Sequence, residues 1–195
     1  MESTKFIGNC HPDIINCDDM VREMQNSIGD ERVGSNPYRS DLDLPENLKK
    51  EFETMYARWK NAGYMDLNNF KFTNYRPERH FSQSYIYKLS DYLDLVPLNV
   101  WVSSLSPGCV VPFHWDIEAQ ENEWKKKGEL VRYTVFVCEP KIGHVMIVDE
   151  DCFHMPKKGS VYRWNKWNDY HIGMNAGLEQ KYILHLVGLD RNAGR

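Results

Sequence analysis

No stretch of the 195-residue chain approaches the ~20 consecutive apolar residues that a membrane-spanning helix needs. Met1 is followed by a polar segment rather than an apolar leader, so the sequence reads as a soluble, cytoplasmic protein. The five cysteines (Cys10, Cys17, Cys109, Cys138 and Cys152) include no C-x-x-C pair, which removes the usual spacing of a zinc site or a thiol redox motif. Their odd number fits reduced thiols. Excess positive charge is also absent. The 24 Lys and Arg stand against 28 Asp and Glu, giving a net charge of -4, which argues against a dedicated nucleic-acid binder. There is no internal repeat and no low-complexity linker. A single domain over residues 1–195 is therefore expected.

What is present is an ordinary globular balance, 42% hydrophobic and 27% charged, with 13% aromatic residues of the kind that line cores and small pockets. Helical patterning dominates residues 1–95. The clearest case runs from Pro45 to Ala62, where Leu48, Phe52, Met55, Tyr56 and Trp59 form one apolar stripe. Pro45 suits a first turn, after Asp43 and Leu44, and Gly63 suits a stop. Two further helices are expected near Asp13–Ile28 and Ser82–Leu93, the second with Tyr85, Leu89 and Tyr92 on one side. All three stripes read as packing faces.

From residue 96 to 192 the period changes to that of strands. Runs at 100–105, 110–115, 131–138, 144–148, 160–164, 170–174 and 182–189 are separated by turn residues such as Pro107-Gly108 and Pro140 to Gly143. Short strands without intervening helices indicate a sandwich or jelly roll. With the helical half packed on its outside, the expected fold is α+β.

Within this series, His114-Trp115-Asp116 follows a strand-like run, and residues i and i+2 of an extended chain point to one side. His171 lies 57 residues after His114, on another expected strand. Two histidines and one carboxylate can cap one face of an octahedral Fe(II) and leave three positions open, enough for a bidentate 2-oxo acid and dioxygen. Lys181, ten residues after His171, supplies a cation able to pair with the far carboxylate of a dicarboxylate co-substrate. An H-x-D pair alone is common. A surface Asp with two core histidines, another metal, or a non-catalytic metal- or ligand-binding cupin would give the same residues. His144, His154 and His185 lack partners at ligand spacing and read as structural or surface histidines, and Asn175 as a turn former in left-handed backbone.

Leu105-Ser-Pro-Gly108, His114-Trp-Asp116, Arg132-Tyr-Thr-Val-Phe136, His171-Ile-Gly-Met-Asn175 and Lys181-Tyr-Ile-Leu together resemble the cupin-type aspartyl/asparaginyl β-hydroxylases of the 2-oxoglutarate/Fe(II)-dependent oxygenase superfamily. The resemblance covers about half the chain, from Val100 to Asp190. It implies a double-stranded β-helix, an Fe(II) cofactor, 2-oxoglutarate and O2 as co-substrates, and hydroxylation of an aliphatic C–H in an amino acid, free or in a peptide, or in a small metabolite. It implies metal roles for His114, Asp116 and His171, a carboxylate at Asp116 that favours hydroxylation over halogenation, and co-substrate roles for Lys181, Ser103 and Arg132. Two departures stand out: Lys181 occupies a position where the family has Arg, and Thr134 one where an R-x-H pattern has His. Trp115, Arg163, Trp164, Trp167 and the stretch from Tyr75 to His80 are candidates for the substrate wall.

Overall fold

The computed structural model describes residues 3–33, 45–64, 71–116 and 120–193. Its strands are β1 (Thr4–Asn9), β2 (Asp30–Val33), β3 (Lys71–Tyr75), β4 (Leu95–Leu105), β5 (Val110–His114), β6 (Leu130–Phe136), β7 (His144–Val148), β8 (Asp151–His154), β9 (Ser160–Trp164), β10 (His171–Asn175) and β11 (Lys181–Asp190). Its helices are α1 (Cys17–Gln25), α2 (Glu46–Asn61), α3 (Ser84–Tyr92) and α4 (Glu121–Lys125). The strands form a larger sheet, in the order β1-β9-β6-β11-β4-β3-β2, and a smaller one, β5-β10-β7-β8. All pairings are antiparallel. From β4 onward the chain passes back and forth between the two sheets, so apart from the β7–β8 hairpin these strands hydrogen-bond to partners distant in sequence.

The seven strand runs read from the sequence all occur, within a few residues. β8 is an addition; its four residues carry little alternation. The larger departure is in the first half, which is not only helical: β1 pairs with β9, and β3 pairs with β4, so both extend the larger sheet. β2 reads DERV and β1 is mostly exposed, so neither has an apolar pattern to betray it.

Strand alternation sets what faces what. On β11, Tyr182, Leu184 and Leu186 point outward and join Met20, Met24, Ile86 and Leu89 of α1 and α3 in the main core. Val100 and Val102 of β4, and Val131, Tyr133 and Val135 of β6, share that side. The opposite faces, including Ile183, Phe136 and Trp164, meet Met146 and Val148 of the smaller sheet in a second core. α1 and α3 thus cover the outer face of the larger sheet, and a gap between the two sheets remains for a site. Because Leu184 is fully buried at the middle of β11, Leu184→Ala is expected to cost about 2–5 kcal/mol in chemical denaturation.

α2 sits elsewhere. Met55 and Trp59 pack with Phe72 and Val111 beside β5, and the Trp59 indole N–H donates to the Phe113 carbonyl at 3.0 Å. The helix ends where the sequence suggested: Gly63 has φ +83°, its N–H donates to Lys60 O, and Tyr64 N–H donates to Trp59 O, the paired bonds of a glycine-terminated helix. Asp43 and Leu44, and the side chain of Phe52, lie outside the described residues. Among the described residues no helix is long and apolar enough to cross a membrane.

Candidate metal centre

β5 is the edge strand of the smaller sheet, and its register against β10 shifts by one residue between His171 and Gly173. Pro112 falls within this irregularity, a place where the missing N–H costs no ladder bond. The shift leaves His114, the last residue of β5, directly opposite His171, the first of β10, with ring centroids 4.2 Å apart. Each imidazole is oriented by a main-chain carbonyl two residues earlier: His114 Nδ1 lies 2.7 Å from Pro112 O, and His171 Nδ1 lies 3.0 Å from Asp169 O. With Nδ1–H donating in both rings, both Nε2 atoms carry lone pairs, the form in which histidine binds a metal.

Those two Nε2 atoms converge on one carboxylate. His114 Nε2 is 3.6 Å from Asp116 Oδ1, and His171 Nε2 is 3.7 Å from Asp116 Oδ2. One ligand atom from each of the three residues falls within 4.8 Å of the others. Neighbouring donors around a first-row ion bound at about 2.1 Å are about 3 Å apart, so a shift of under ~1 Å would close the set on one ion. The loop carrying Asp116 is clamped at its backbone: Asp116 N–H donates to Asn168 Oδ1 at 3.0 Å, and Asn168 Nδ2 donates to Asp116 O at 2.8 Å. Nothing in the sequence marks Asn168 for this task, because the two residues are 52 apart.

Beneath the triad is a buried cation. Arg132, with no exposed surface, donates from Nη1 to Asp116 Oδ2 and from Nη2 to His185 Nδ1, the latter at 3.2 Å. Its guanidinium lies 3.9 Å from the Trp164 ring and 5.2 Å from that of Trp101. Trp164 donates to Thr134 Oγ1 at 2.9 Å, and Trp101 stacks on His185 at 5.1 Å. The electrostatics follow. Burial pushes the Asp116 carboxyl up, but Arg132 first and His171 next outweigh it and hold the group well below the usual carboxylate range. Burial, then the neighbouring His114, keeps His171 neutral. Burial and Arg132 do the same for His185.

A cavity of about 170 Å³ opens over these groups, between the sheets. The triad, Arg132 and Ser103 line it, together with Arg76, Asn74, Asn99, Trp101 and His185, to none of which the sequence patterning gave a site role of its own. His185, read as structural or surface, is 5% exposed and lies on the cavity wall. Lys181 is not on that wall. On β11 it shares a face with Ile183 and His185, both wall residues, and lies one rung beyond them, opposite Leu105. Its ammonium donates to the carbonyls of Val145 and of Met174, the second at 3.2 Å.

The remaining expectations are placed elsewhere. Trp115 lines a separate groove with Trp59, Phe113 and Tyr170. Arg163 faces outward and pairs with Asp190 at 3.1 Å and Glu129 at 3.5 Å. Trp164 packs behind His171, edge-on at 4.9 Å, rather than lining the cavity. Trp167 lies 6.0 Å from Lys125 Nζ and is likewise away from the wall. Of the stretch from Tyr75 to His80, Arg76 alone reaches the wall. Asn175 does shape its turn, through its side chain rather than a left-handed backbone: Gly177 N–H donates to Asn175 Oδ1 at 3.0 Å, and Asn175 Nδ2 donates to Leu105 O and Glu179 O. His144 is buried with Nε2 3.0 Å from Glu179 O, while His154 is exposed.

No protein-family model matches the chain, and no curated protein is similar to it. Among solved structures, it is similar to the viral collagen prolyl hydroxylase of Paramecium Bursaria Chlorella virus-1 in its 2OG complex, at 12% identity over 96% of this chain and 97% of that one, with a TM-score of 0.45. It is similar to a Pseudomonas putida prolyl-4-hydroxylase at 12% identity over 89% and 98%, with a TM-score of 0.42. It is also similar to a prolyl hydroxylase from Trichoplax adhaerens, in complex with a hypoxia inducible factor oxygen degradation domain peptide fragment, at 13% identity over 92% and 91%, with a TM-score of 0.42.

Proposed function

We propose that this chain is an Fe(II)- and 2-oxoglutarate-dependent oxygenase that hydroxylates an aliphatic C–H bond of a small molecule or an amino-acid residue, and that strands β4 to β11 form its double-stranded β-helix. The observation that carries the reading is the convergence of two oriented histidine Nε2 atoms on the two oxygens of Asp116. Three protein donors on one face suit a metal that must keep positions open for co-substrate and O2, whereas a purely structural ion is closed by protein ligands. When bound, Fe(II) with 2-oxoglutarate and O2 supplies the oxidising chemistry; the protein supplies orientation and a dry cavity.

In this reading His114, Asp116 and His171 hold the metal. Arg132 keeps Asp116 ionised and turned toward it. Ser103 and Lys181 receive the far carboxylate of 2-oxoglutarate. Two features support Lys181 in that role although it stands just beyond the wall. It is 2% exposed, and among the described residues no carboxylate pairs with it. A buried ammonium whose contacts are carbonyls is short of an anion, and a dicarboxylate entering between the sheets would supply one.

A pH-dependent consequence follows. Burial pulls the Lys181 pKa down to about 7, against a small opposing effect of Cys138; His144 also lies nearby. The unfolded chain, with an ordinary lysine, holds the proton up to about pH 10.4. Between these values the unfolded state binds more protons, so this group makes stability rise with pH across that window. Lys181→Met should therefore stabilise the fold at pH 6 by on the order of 1–3 kcal/mol. It should also weaken 2-oxoglutarate binding by about 10- to 100-fold without changing metal affinity. Calorimetry in buffers of different ionisation heat should record proton uptake when 2-oxoglutarate binds the native protein at pH 8. Unchanged co-substrate affinity in Lys181→Met would remove Lys181 from the site.

The reading as a whole is tested by anaerobic Fe(II) and 2-oxoglutarate titration followed by succinate release in air. Binding of metal without 2-oxoglutarate would instead identify a non-catalytic metal-binding protein.

A further inference from the structure

We infer that His185 is a co-substrate-binding residue, whose Nε2–H donates to the carboxylate that a 2-oxo acid turns toward the metal. The inference rests on the oxygenase reading above and adds to that site a residue whose sequence context marks it only as structural or surface.

The tautomer of the ring is set by what surrounds Nδ1. Arg132 Nη2 approaches it at 3.2 Å, and a guanidinium only donates. Thr134 Oγ1 stands 3.5 Å from the same atom. That oxygen accepts the Trp164 indole N–H at 2.9 Å and has its own proton to give. With both neighbours donating, Nδ1 is the bare nitrogen, and the neutral imidazole carries its hydrogen on Nε2. Stacking on Trp101, with centroids 5.1 Å apart and planes at 25°, fixes the plane of the ring. His185 is 5% exposed and lies on the cavity wall. Among the described residues Nε2 has no hydrogen-bond partner, yet it is not sealed inside the protein. A largely buried N–H that opens on a cavity is costly until a ligand oxygen accepts from it.

Register shows which end of the ligand it meets. Lys181, Ile183 and His185 of β11 stand opposite Leu105, Ser103 and Trp101 of β4 and share one face. Val187, the next residue on that face, is opposite Arg132, which bonds to Asp116 of the triad. His185 is thus at the triad end of the strand. Lys181 is four residues away, about 13 Å along it. The two side chains therefore address opposite ends of a dicarboxylate. A 2-oxo acid that chelates through its 2-oxo oxygen and one oxygen of the adjacent carboxylate leaves the other oxygen of that carboxylate in need of a donor. The His185 N–H meets that need as an uncharged group, adding nothing to the positive charge of Arg132 beside it.

The test uses the full chain loaded with Zn(II), which is redox-inert, and calorimetric titration of two acids. One is 2-oxoglutarate. The other is oxalate, which chelates through adjacent carboxylates and has no far end. His185→Phe, which keeps a ring on Trp101, is expected to weaken both by about tenfold or more. His185→Gln, which restores a donor, should recover most of the loss, a result that packing alone would not give. Zn(II) affinity should move less than about threefold in either variant. In the unaltered, isotope-labelled protein, long-range histidine NMR spectra should show His185 as the Nε2–H tautomer, with that proton moving downfield when 2-oxoglutarate is added. This measurement needs no variant and decides the matter if His185→Phe does not fold. Unchanged affinity for both acids in His185→Phe overturns the inference, as does an Nδ1–H tautomer. A loss confined to 2-oxoglutarate overturns it too, because it would move His185 to the far carboxylate. Failure of Zn(II) and 2-oxoglutarate to bind at all is a separate result. It removes the oxygenase reading, and the inference with it.

Discussion

His171→Ala is expected to abolish saturable Fe(II) binding at micromolar concentrations, an affinity loss of about 100-fold or more, while leaving the fold intact. The two halves of this expectation have separate grounds. His171 supplies one of three converging donors, and two donors alone leave an ion mostly solvated. Its structural role is limited: its one hydrogen bond to the main chain is Nδ1 to Asp169 O at the start of β10, and its ring packs on those of His114 and Trp164. Equilibrium dialysis should show the loss, and denaturation should show a midpoint near that of the unaltered protein. Asp116→Ala should lose metal equally but is a poorer probe, because it also strips the buried Arg132 of its counter-charge. Binding retained in His171→Ala would mean that the metal, if any, sits elsewhere.

Arg132→Met should be the most destabilising single change at the site, by about 3–5 kcal/mol, and should weaken metal binding by about 10- to 100-fold. The guanidinium is completely enclosed, stacked on Trp164 and bonded to both Asp116 and His185, so its removal leaves the Asp116 carboxylate facing one fewer cation and opens a gap beside the indole. The carboxyl should then lose the influence that holds it ionised, and metal binding should become more sensitive to acid. The double variant Asp116→Asn/Arg132→Met separates the causes. If the loss in Arg132→Met comes mainly from the stranded charge, the double variant should be more stable than Arg132→Met alone, with a coupling above about 1 kcal/mol. Additive losses would mean that Arg132 matters only as packing.

The three residues proposed to hold the metal were legible as one cluster because strand chemistry is local. His114 and Asp116 share a face two residues apart, and the β-rich pattern around His171 announced a strand. The turn glycines and the helix stop at Gly63 were local as well. What the sequence hides depends on pairing at a distance. β3 is five residues long, and only its register with β4, Asn74 opposite Ser103, brings Arg76 to the cavity. Asn168 matters because a loop returns to Asp116. Trp164 illustrates the limit of reasoning from proximity: alternation on β9 puts it on the inner face, but the space there is filled by His171 and Arg132, so it supports the site from behind. Arg163, one residue away, is carried to the outer face by the same alternation. Lys181 is a subtler case. Its spacing from His171 put it on β11, on the face it shares with Ile183 and His185, and the register against Leu105 sets it one rung past the cavity wall.

The account stands on one ion being held by His114, Asp116 and His171. Anaerobic equilibrium dialysis against Fe(II), with and without 2-oxoglutarate, tests this most directly. The predicted result is one ion per chain, bound more tightly when 2-oxoglutarate is present and lost in His171→Ala. Absence of saturable binding, or binding that survives His171→Ala, would contradict it.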